Sequence, residues 1–138
     1  MFLIIAPIVG LFALLSSSAS PEEPYLPPPS PAYSTITAND AVRLMDELDY
    51  FILLDTRTQE EFDEEHIPGA ILIPYDELRE RAVTELTDLS VPIFVYCRTG
   101  NRSAYSAYIL ASLGFTRVYD FGGIEDYPRP TTSSQTDT

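Results

Sequence analysis

The stretch VYCRTGNRSAYSAYILASLGF, residues 95–115, decides what kind of fold the chain adopts. An apolar run of strand length ends at Cys97, the one cysteine of the chain, and a helical pattern begins at Arg102. A strand that leads through a short loop into a helix is the repeating unit of α/β folds, whose sites lie at the carboxyl ends of the strands. The stretch therefore predicts an α/β domain in which Cys97 is either a buried core thiol or a nucleophile.

Three further apolar runs of strand length accompany this one. Runs of this kind are typical of parallel strands that are buried on both faces. They are YFILLD (50–55), AILIP (70–74) and RVYDF (117–121), in addition to PIFVYC (92–97).

Helical patterns separate these runs. Thr37 and Asp40 resemble a capping box that opens a helix reaching Leu48, and Thr58 is expected to cap a short helix with Glu61 in its first turn. Further helices are predicted over residues 75–83 and 102–113, the second ended by Gly114. The alternation indicates one α/β domain with a small, mostly parallel β-sheet flanked by helices on both faces.

The ends of the chain differ from this domain in composition. Residues 1–20 carry no charged side chain, and their apolar run at 2–15 is shorter than the about 20 residues that span a membrane. The segment fits a signal peptide cleaved after Ala19, although a basic residue before the run is missing. A retained N-terminal anchor and a cytoplasmic protein are the alternatives.

The following boundaries complete the predicted domain organisation. Residues 21–34 contain six prolines and predict a stiff linker, residues 35–128 form the domain, and residues 129–138 are expected to be a polar, disordered tail. A signal or anchor followed by a spacer predicts an extracytoplasmic protein that is periplasmic, secreted or tethered to a membrane or wall. The domain is expected to be a monomer.

Charge and cysteine content exclude several classes of function. The formal net charge is −13, and all eight basic residues are arginine, so the chain is repelled by nucleic acid. The acidic surface favours solubility. A single cysteine allows neither an intrachain disulfide nor a C-x-x-C redox or metal pair.

The segment CRTGNR predicts an anion cradle around Cys97. Gly100 and Asn101 are residue types that accept unusual backbone angles, which would let successive N–H groups face inward beside the positive end of the following helix. Such a cradle favours the thiolate, and Arg98 and Arg102 can bind an oxyanion. A buried core cysteine would explain neither the two arginines nor the Gly-Asn pair.

Two chemistries use a cysteine in such a loop, namely phosphate ester hydrolysis and sulfur transfer. Tyrosine-specific phosphatases have a C-x5-R loop that encloses a tetrahedral phosphate. Here the spacing from Cys97 to Arg102 is C-x4-R, and Ser103 follows. The shorter loop forms a smaller bowl that suits one extra sulfur atom.

Five motifs in fixed order resemble the single-domain rhodaneses, the thiosulfate sulfurtransferase family, from about Ile36 to Tyr127. They are LLDTR (53–57), EEF (60–62), HIPGA (66–70), VYCRTGNRS (95–103) and GGIEDY (122–127). The resemblance implies a small parallel sheet flanked by helices and a reaction that needs no cofactor or metal. It also implies a persulfide on Cys97, held by the N–H groups of residues 98–102. The sulfur would come from thiosulfate or a similar donor and pass to cyanide or a thiol.

The remaining candidate residues are expected to support the loop. Asp55 and Arg57 follow a strand end, and we expect a buried ion pair there, with Glu61 as the partner of Arg57, rather than a catalytic role. His66 is expected to brace its loop by a hydrogen bond instead of acting as a base. Thr99 and Ser103 are expected to brace the loop and the helix start.

Two other functions stay open at this point. One is a non-catalytic persulfide carrier or binding module, and the other is a Cys-dependent phosphatase or arsenate reductase of related fold. For a sulfurtransferase, the expected partners are a small-molecule sulfur donor and a thiol acceptor.

Overall fold

The computed structural model describes residues 31–135. The predicted signal peptide or anchor, residues 21–30 of the predicted linker and residues 136–138 lie outside the described residues. Within residues 31–135, no helix is long and apolar enough to cross a membrane.

Strands and helices alternate along the described chain. Their bounds are β1 (Ser34–Thr35), α1 (Ala38–Glu47), β2 (Ile52–Asp55), α2 (Gln59–Glu64), β3 (Ile71–Leu72), α3 (Leu78–Glu85), β4 (Ile93–Cys97), α4 (Asn101–Ser112) and β5 (Val118–Gly123), followed by a 3₁₀ turn at Ile124–Asp126. The five strands form one sheet in the order β1-β5-β4-β2-β3, and every pair is parallel. The predicted single α/β domain is confirmed.

The central strand β4 is buried along its whole length. Its side chains alternate between the two faces of the sheet, as the pleat of a strand requires. Ile93 and Val95 pack with α3 and α4, and Phe94 and Tyr96 pack with α1. The continuous apolar run is explained by this burial on both faces, because neither face of β4 meets water.

The predicted helix boundaries at three polar or glycine residues are confirmed. The Thr37 side chain accepts a hydrogen bond from the Asp40 N–H at the start of α1. Thr58 and Glu61 form a complete capping box on α2, and Gly114 has a φ of +99° just after α4. These local signals needed no tertiary contact to be recognised.

Three predictions about the edges of the domain are wrong. Ser34, assigned to the linker, belongs to β1 and pairs with Tyr119 of β5. The strand predicted over residues 70–74 is shortened to Ile71–Leu72. Residues 129–135 are not a disordered tail, because Thr132 exchanges two backbone hydrogen bonds with His66, of 2.8 and 2.9 Å. Composition cannot reveal such main-chain pairing.

We expect Tyr96→Phe to destabilise the fold without disturbing its packing. The buried Tyr96 hydroxyl accepts a hydrogen bond of 3.1 Å from the Ile67 N–H, and the substitution leaves that donor without this acceptor. The loss should lower the free energy of unfolding by about 1–3 kcal/mol, measured by urea denaturation. Tyr50→Phe, at a side chain that is 68% exposed, is the control and should change it by less than about 0.5 kcal/mol. Equal effects at the two positions would contradict this role of the hydroxyl.

Candidate active site

Cys97 lies at the carboxyl end of the central strand. It is the last residue of β4, and only 1% of its surface is exposed. The chain then passes through three residues and enters α4 at Asn101. We call residues 97–102 the Cys97 loop.

The Cys97 loop turns a main-chain N–H group toward the sulfur. Gly100 has a φ of +110°, a conformation that favours glycine, and its N–H donates a hydrogen bond of 3.0 Å to Cys97 Sγ. The positive end of the α4 dipole lies at the same place, because the helix starts at the next residue. Both features direct positive electrostatic potential toward the sulfur. Asn101 does not adopt the predicted unusual angle, because among the described residues only glycines have a positive φ.

Gly123 of β5 leaves room for the loop. A Cβ atom on Gly123 would lie 2.2 Å from the Arg98 carbonyl oxygen, so that a side chain there and the loop cannot occupy their present positions. On the other side, a Cβ on Gly100 would lie 3.5 Å from the Gly122 Cα. The Gly-Gly pair had entered the sequence interpretation only as part of a family motif. Gly123 lets the two backbones approach closely, whereas a Cβ on Gly122 would meet nothing within 4 Å.

A buried carboxylate joins the loop to β5. The Ser103 hydroxyl lies 2.7 Å from Asp120 Oδ1 and 3.0 Å from the Gly100 carbonyl oxygen, and the Gly122 N–H donates to the same Asp120 oxygen at 3.0 Å. These contacts place Ser103 between the loop and β5, where the predicted bracing would act. Thr99 is exposed, and no described residue hydrogen-bonds to its hydroxyl, so the bracing expected of Thr99 is not observed. Asp120 escaped the sequence analysis, although a carboxylate inside an apolar strand is a signal for such a role.

Arg102 is held by Glu61 in a two-point ion pair. Both guanidinium nitrogens Nη1 and Nη2 lie 2.7 Å from a Glu61 oxygen. The hydrogen bond from Arg102 is the main cause that lowers the pKa of Glu61 to about 2, and the same bond raises the pKa of Arg102. The pair therefore fixes the far end of the Cys97 loop to α2.

The expected pairing of Arg57 with Glu61 is wrong. Arg57 instead forms a buried ion pair with Asp55, with 2.7 Å between Nη2 and Oδ2, and donates a hydrogen bond of 2.5 Å to the Glu65 carbonyl. Asp55 and Arg57 thus form the predicted buried ion pair with each other rather than through Glu61. The sequence could not reveal that Glu61 binds Arg102 instead of Arg57, because Arg102 lies 41 residues away.

Arg98 is the more accessible of the two loop arginines. Its side chain is 66% exposed, against 26% for Arg102, and its contact with Glu125 is a loose 3.5 Å. Arg98 borders a small polar pocket of about 340 Å³. The other residues that line the pocket are Arg57, Glu61, Glu64, Glu65, Ile124 and Glu125.

His66 contacts the end of α2. Its Nδ1 lies 2.7 Å from the Phe62 carbonyl oxygen, and its ring stacks on the Phe62 ring with 3.8 Å between centroids. The side chain is buried. Within residues 31–135, no group of His, Cys, Asp and Glu residues has the arrangement of a metal site.

Comparison with known proteins finds a matching family model and similar sequences that agree with it. A family model described as Rhodanese-like domain matches residues 37–128. Thiosulfate sulfurtransferase PspE of Escherichia coli strain K12 is 38% identical over 77 residues, which are 56% of this chain and 74% of PspE. Thiosulfate sulfurtransferase GlpE of Coxiella burnetii is 33% identical over 96 residues, covering 69% of this chain and 87% of GlpE.

A solved structure agrees with these relatives. A structure of a "rhodanese with anions from E. coli" superposes with a TM-score of 0.58 at 34% identity. The superposition covers 62% of this chain and 100% of the other chain.

Gly123→Ala should displace the Cys97 loop. The added methyl group would meet the Arg98 carbonyl, and overpacking of this kind costs about 1–3 kcal/mol. We expect faster amide hydrogen exchange in residues 98–102 as well as lower stability. Gly69→Ala is the comparison, because a Cβ there meets nothing within 4 Å and its φ of +84° adds only backbone strain. Gly69→Ala should leave exchange in the loop unchanged. If Gly123→Ala also left it unchanged, the proposed steric role of Gly123 would be wrong.

The Glu61–Arg102 pair should give a defined pH dependence of stability. The folded-state pKa of Glu61, about 2, lies below its ordinary value of 4.5. The ionised pair therefore contributes stability that is complete above about pH 4.5 and is lost as the pH falls toward about 2. The loss of unfolding free energy caused by Glu61→Gln should be largest near neutral pH and shrink through this window.

The measurement is urea unfolding of both proteins across the pH range. Glu80→Gln, the same change on an exposed side chain of α3, is the control for the loss of a surface carboxylate. A Glu61→Gln deficit that stays constant down to the lowest pH would contradict the ion-pair assignment.

Proposed function

The chain belongs to the rhodanese-like family of sulfurtransferases, and we propose that it moves sulfane sulfur from thiosulfate or a similar donor to cyanide or a thiol through a persulfide on Cys97. The observation that carries this proposal is the Gly100 N–H directed at Cys97 Sγ at 3.0 Å, beside the start of α4. The same donor and helix end can hold the negatively charged outer sulfur of a persulfide.

The first half of the cycle loads the cysteine. The Cys97 thiolate attacks the outer sulfur of thiosulfate, a new S–S bond forms, and the S–S bond of thiosulfate breaks. The bonding electrons leave with sulfite. Cys97 then carries a persulfide anion, which the main-chain N–H groups of residues 98–102 would hold.

The second half returns the thiolate. Cyanide or a thiolate attacks the outer sulfur of the persulfide, and thiocyanate or a new persulfide leaves. The chain has one cysteine, so the sulfur must pass directly to an external acceptor. Two half-reactions on one nucleophile should give ping-pong kinetics.

The two loop arginines would have different functions. Both Nη atoms of Arg102 are engaged by Glu61, so we assign Arg102 to positioning the loop rather than to gripping an oxyanion. Arg98 is mostly exposed and only loosely paired, and it is the guanidinium that can attract an anionic donor. This arrangement also disfavours a phosphatase, in which the arginine at the end of the loop must face the phosphate.

Location and assembly are part of the same proposal. We propose an extracytoplasmic monomer that is exported by a signal peptide cleaved after Ala19 or, as the alternative, tethered to a membrane or wall through residues 1–34. The apolar and proline-rich composition of that segment supports the location. A small-molecule donor and a small thiol or cyanide would reach Cys97 by diffusion.

The decisive test is the intact mass of the protein before and after incubation with thiosulfate, together with sulfite release. We expect a gain of one sulfur atom that cyanide or a thiol removes, and Cys97→Ser should lower turnover by a factor on the order of 10³ or more. Arg98→Ala should raise KM for thiosulfate roughly 3- to 10-fold with little change in kcat, because it removes attraction before the chemical step. Arg117→Ala, at an exposed arginine that precedes β5, is the matched control.

Other outcomes identify other functions. Sulfur loading without turnover, across several acceptors, would indicate a persulfide carrier. Absence of loading on reduced Cys97, with hydrolysis of p-nitrophenyl phosphate, would indicate a phosphatase. Full sulfurtransferase turnover in Cys97→Ser would overturn the mechanism.

A further inference from the structure

Residues 129–134 run across the surface from α1 to α2, and we call them the C-terminal strap. They follow the last residue matched by the family model, residue 128. Arg129 pairs with Asp46 of α1 at the start of the strap. Thr132 then forms its backbone pair with His66, and the Ser134 hydroxyl lies 2.9 Å from Asp63 Oδ1.

The strap completes the hydrogen bonding at the end of α2. The last carbonyl groups of a helix lack partners within the helix and need others. In α2 the Phe62 carbonyl is met by His66 Nδ1, and the Asp63 carbonyl accepts a hydrogen bond of 3.1 Å from the Ser134 N–H. The helix has no basic residue in its last turn that could serve instead. The strap therefore acts as an external cap for α2.

This cap matters because α2 has little hydrophobic anchorage. The helix is six residues long, and none of its residues is fully buried. A helix of this length is not stable by its own propensity and depends on its end contacts. Its amino end is fixed by the Thr58 capping box, and its carboxyl end by the strap, by His66 and by Arg57.

Glu61 of this helix is the residue that grips Arg102. The side chain lies at the third position of α2, and both of its oxygens are 2.7 Å from the Arg102 guanidinium. A shift of α2 would therefore be transmitted to the end of the Cys97 loop. A contiguous set of hydrogen bonds leads from Ser134 and Thr132 through α2 to Arg102.

We propose that the C-terminal strap positions α2 and, through the Glu61–Arg102 pair, holds the Cys97 loop in the geometry that loads sulfur. The strap is a positioning element, since its hydrogen bonds and ion pair join it to α1, to α2 and to the segment after α2. The effect on sulfur loading rests on the proposed function, whereas the effect on the loop does not.

The test removes two main-chain donors in the full chain. Thr132→Pro and Ser134→Pro together abolish the N–H groups that bond to His66 and Asp63. The control is Thr132→Ala with Ser134→Ala, which changes the same side chains and keeps both N–H groups. The readouts are amide hydrogen exchange in residues 98–102 and the rate of Cys97 loading from thiosulfate in a single turnover.

We expect the double-proline variant to exchange these loop amides about tenfold faster and to load sulfur about fivefold or more slowly, with the double-alanine control within about twofold of the parent. A double-mutant cycle with Glu61→Ala separates transmission from general destabilisation. In the Glu61→Ala background the prolines should change neither readout by more than about twofold, because the connecting contact is already absent.

Two results would overturn the proposal. One is identical loop exchange in the proline and alanine variants, and the other is proline effects that persist in full in the Glu61→Ala background. If the double-proline chain does not fold, Ser134→Pro against Ser134→Ala makes the same comparison with one bond. If the parent protein loads no sulfur, the proposed function is ruled out. The hydrogen-exchange data would still test whether the strap positions the Cys97 loop.

Discussion

Burial of β4 on both faces is the constraint on which the remaining structure depends. Four successive side chains, Ile93 to Tyr96, are completely buried, and each contributes about 1.5–3 kcal/mol relative to an exposed position. That burial requires a strand on each side and helices above and below, which is the α/β arrangement. The buried strand ends at Cys97, and the chain turns there into the loop that leads to α4. The site is thus placed by the same residues that form the core.

Close approach of two backbones then shapes the site. The Cys97 loop lies on β5 because Gly123 has no side chain, and Gly100 can turn its N–H to the sulfur because it adopts a positive φ. Polar groups beneath the loop are all paired: among the described residues, no buried side-chain nitrogen or oxygen lacks a hydrogen-bond partner. Asp120 is the clearest example, since one of its oxygens connects Ser103 with the Gly122 N–H. Fully satisfied polar networks of this kind favour a single arrangement of the groups that they connect.

The ion pairs show why residue types alone do not give residue roles. Two arginines near one cysteine suggested an anion-binding pair, yet the structure uses them differently. Arg102 forms an ion pair with Glu61 and anchors the loop, whereas the Arg98 side chain is largely exposed to solvent. Arg57, which was expected to bind Glu61, is satisfied by Asp55 two residues away. Which acid meets which arginine is decided by how α2 lies against the loop.

The sequence by itself determined the α/β class, the helix caps at Thr37 and Thr58, the positive φ at Gly100 and the position of Cys97 after a buried strand. These features depend on hydrophobic periodicity and on local backbone preferences, which are encoded within a few residues. Only the tertiary structure decided that Ser34 begins an edge strand, that Glu61 binds Arg102, that Asp120 supports the loop and that residues 129–135 pair with the segment after α2. Each of these is a contact between residues far apart in the chain. Neither composition nor spacing specifies such contacts, because they depend on how the elements pack in three dimensions.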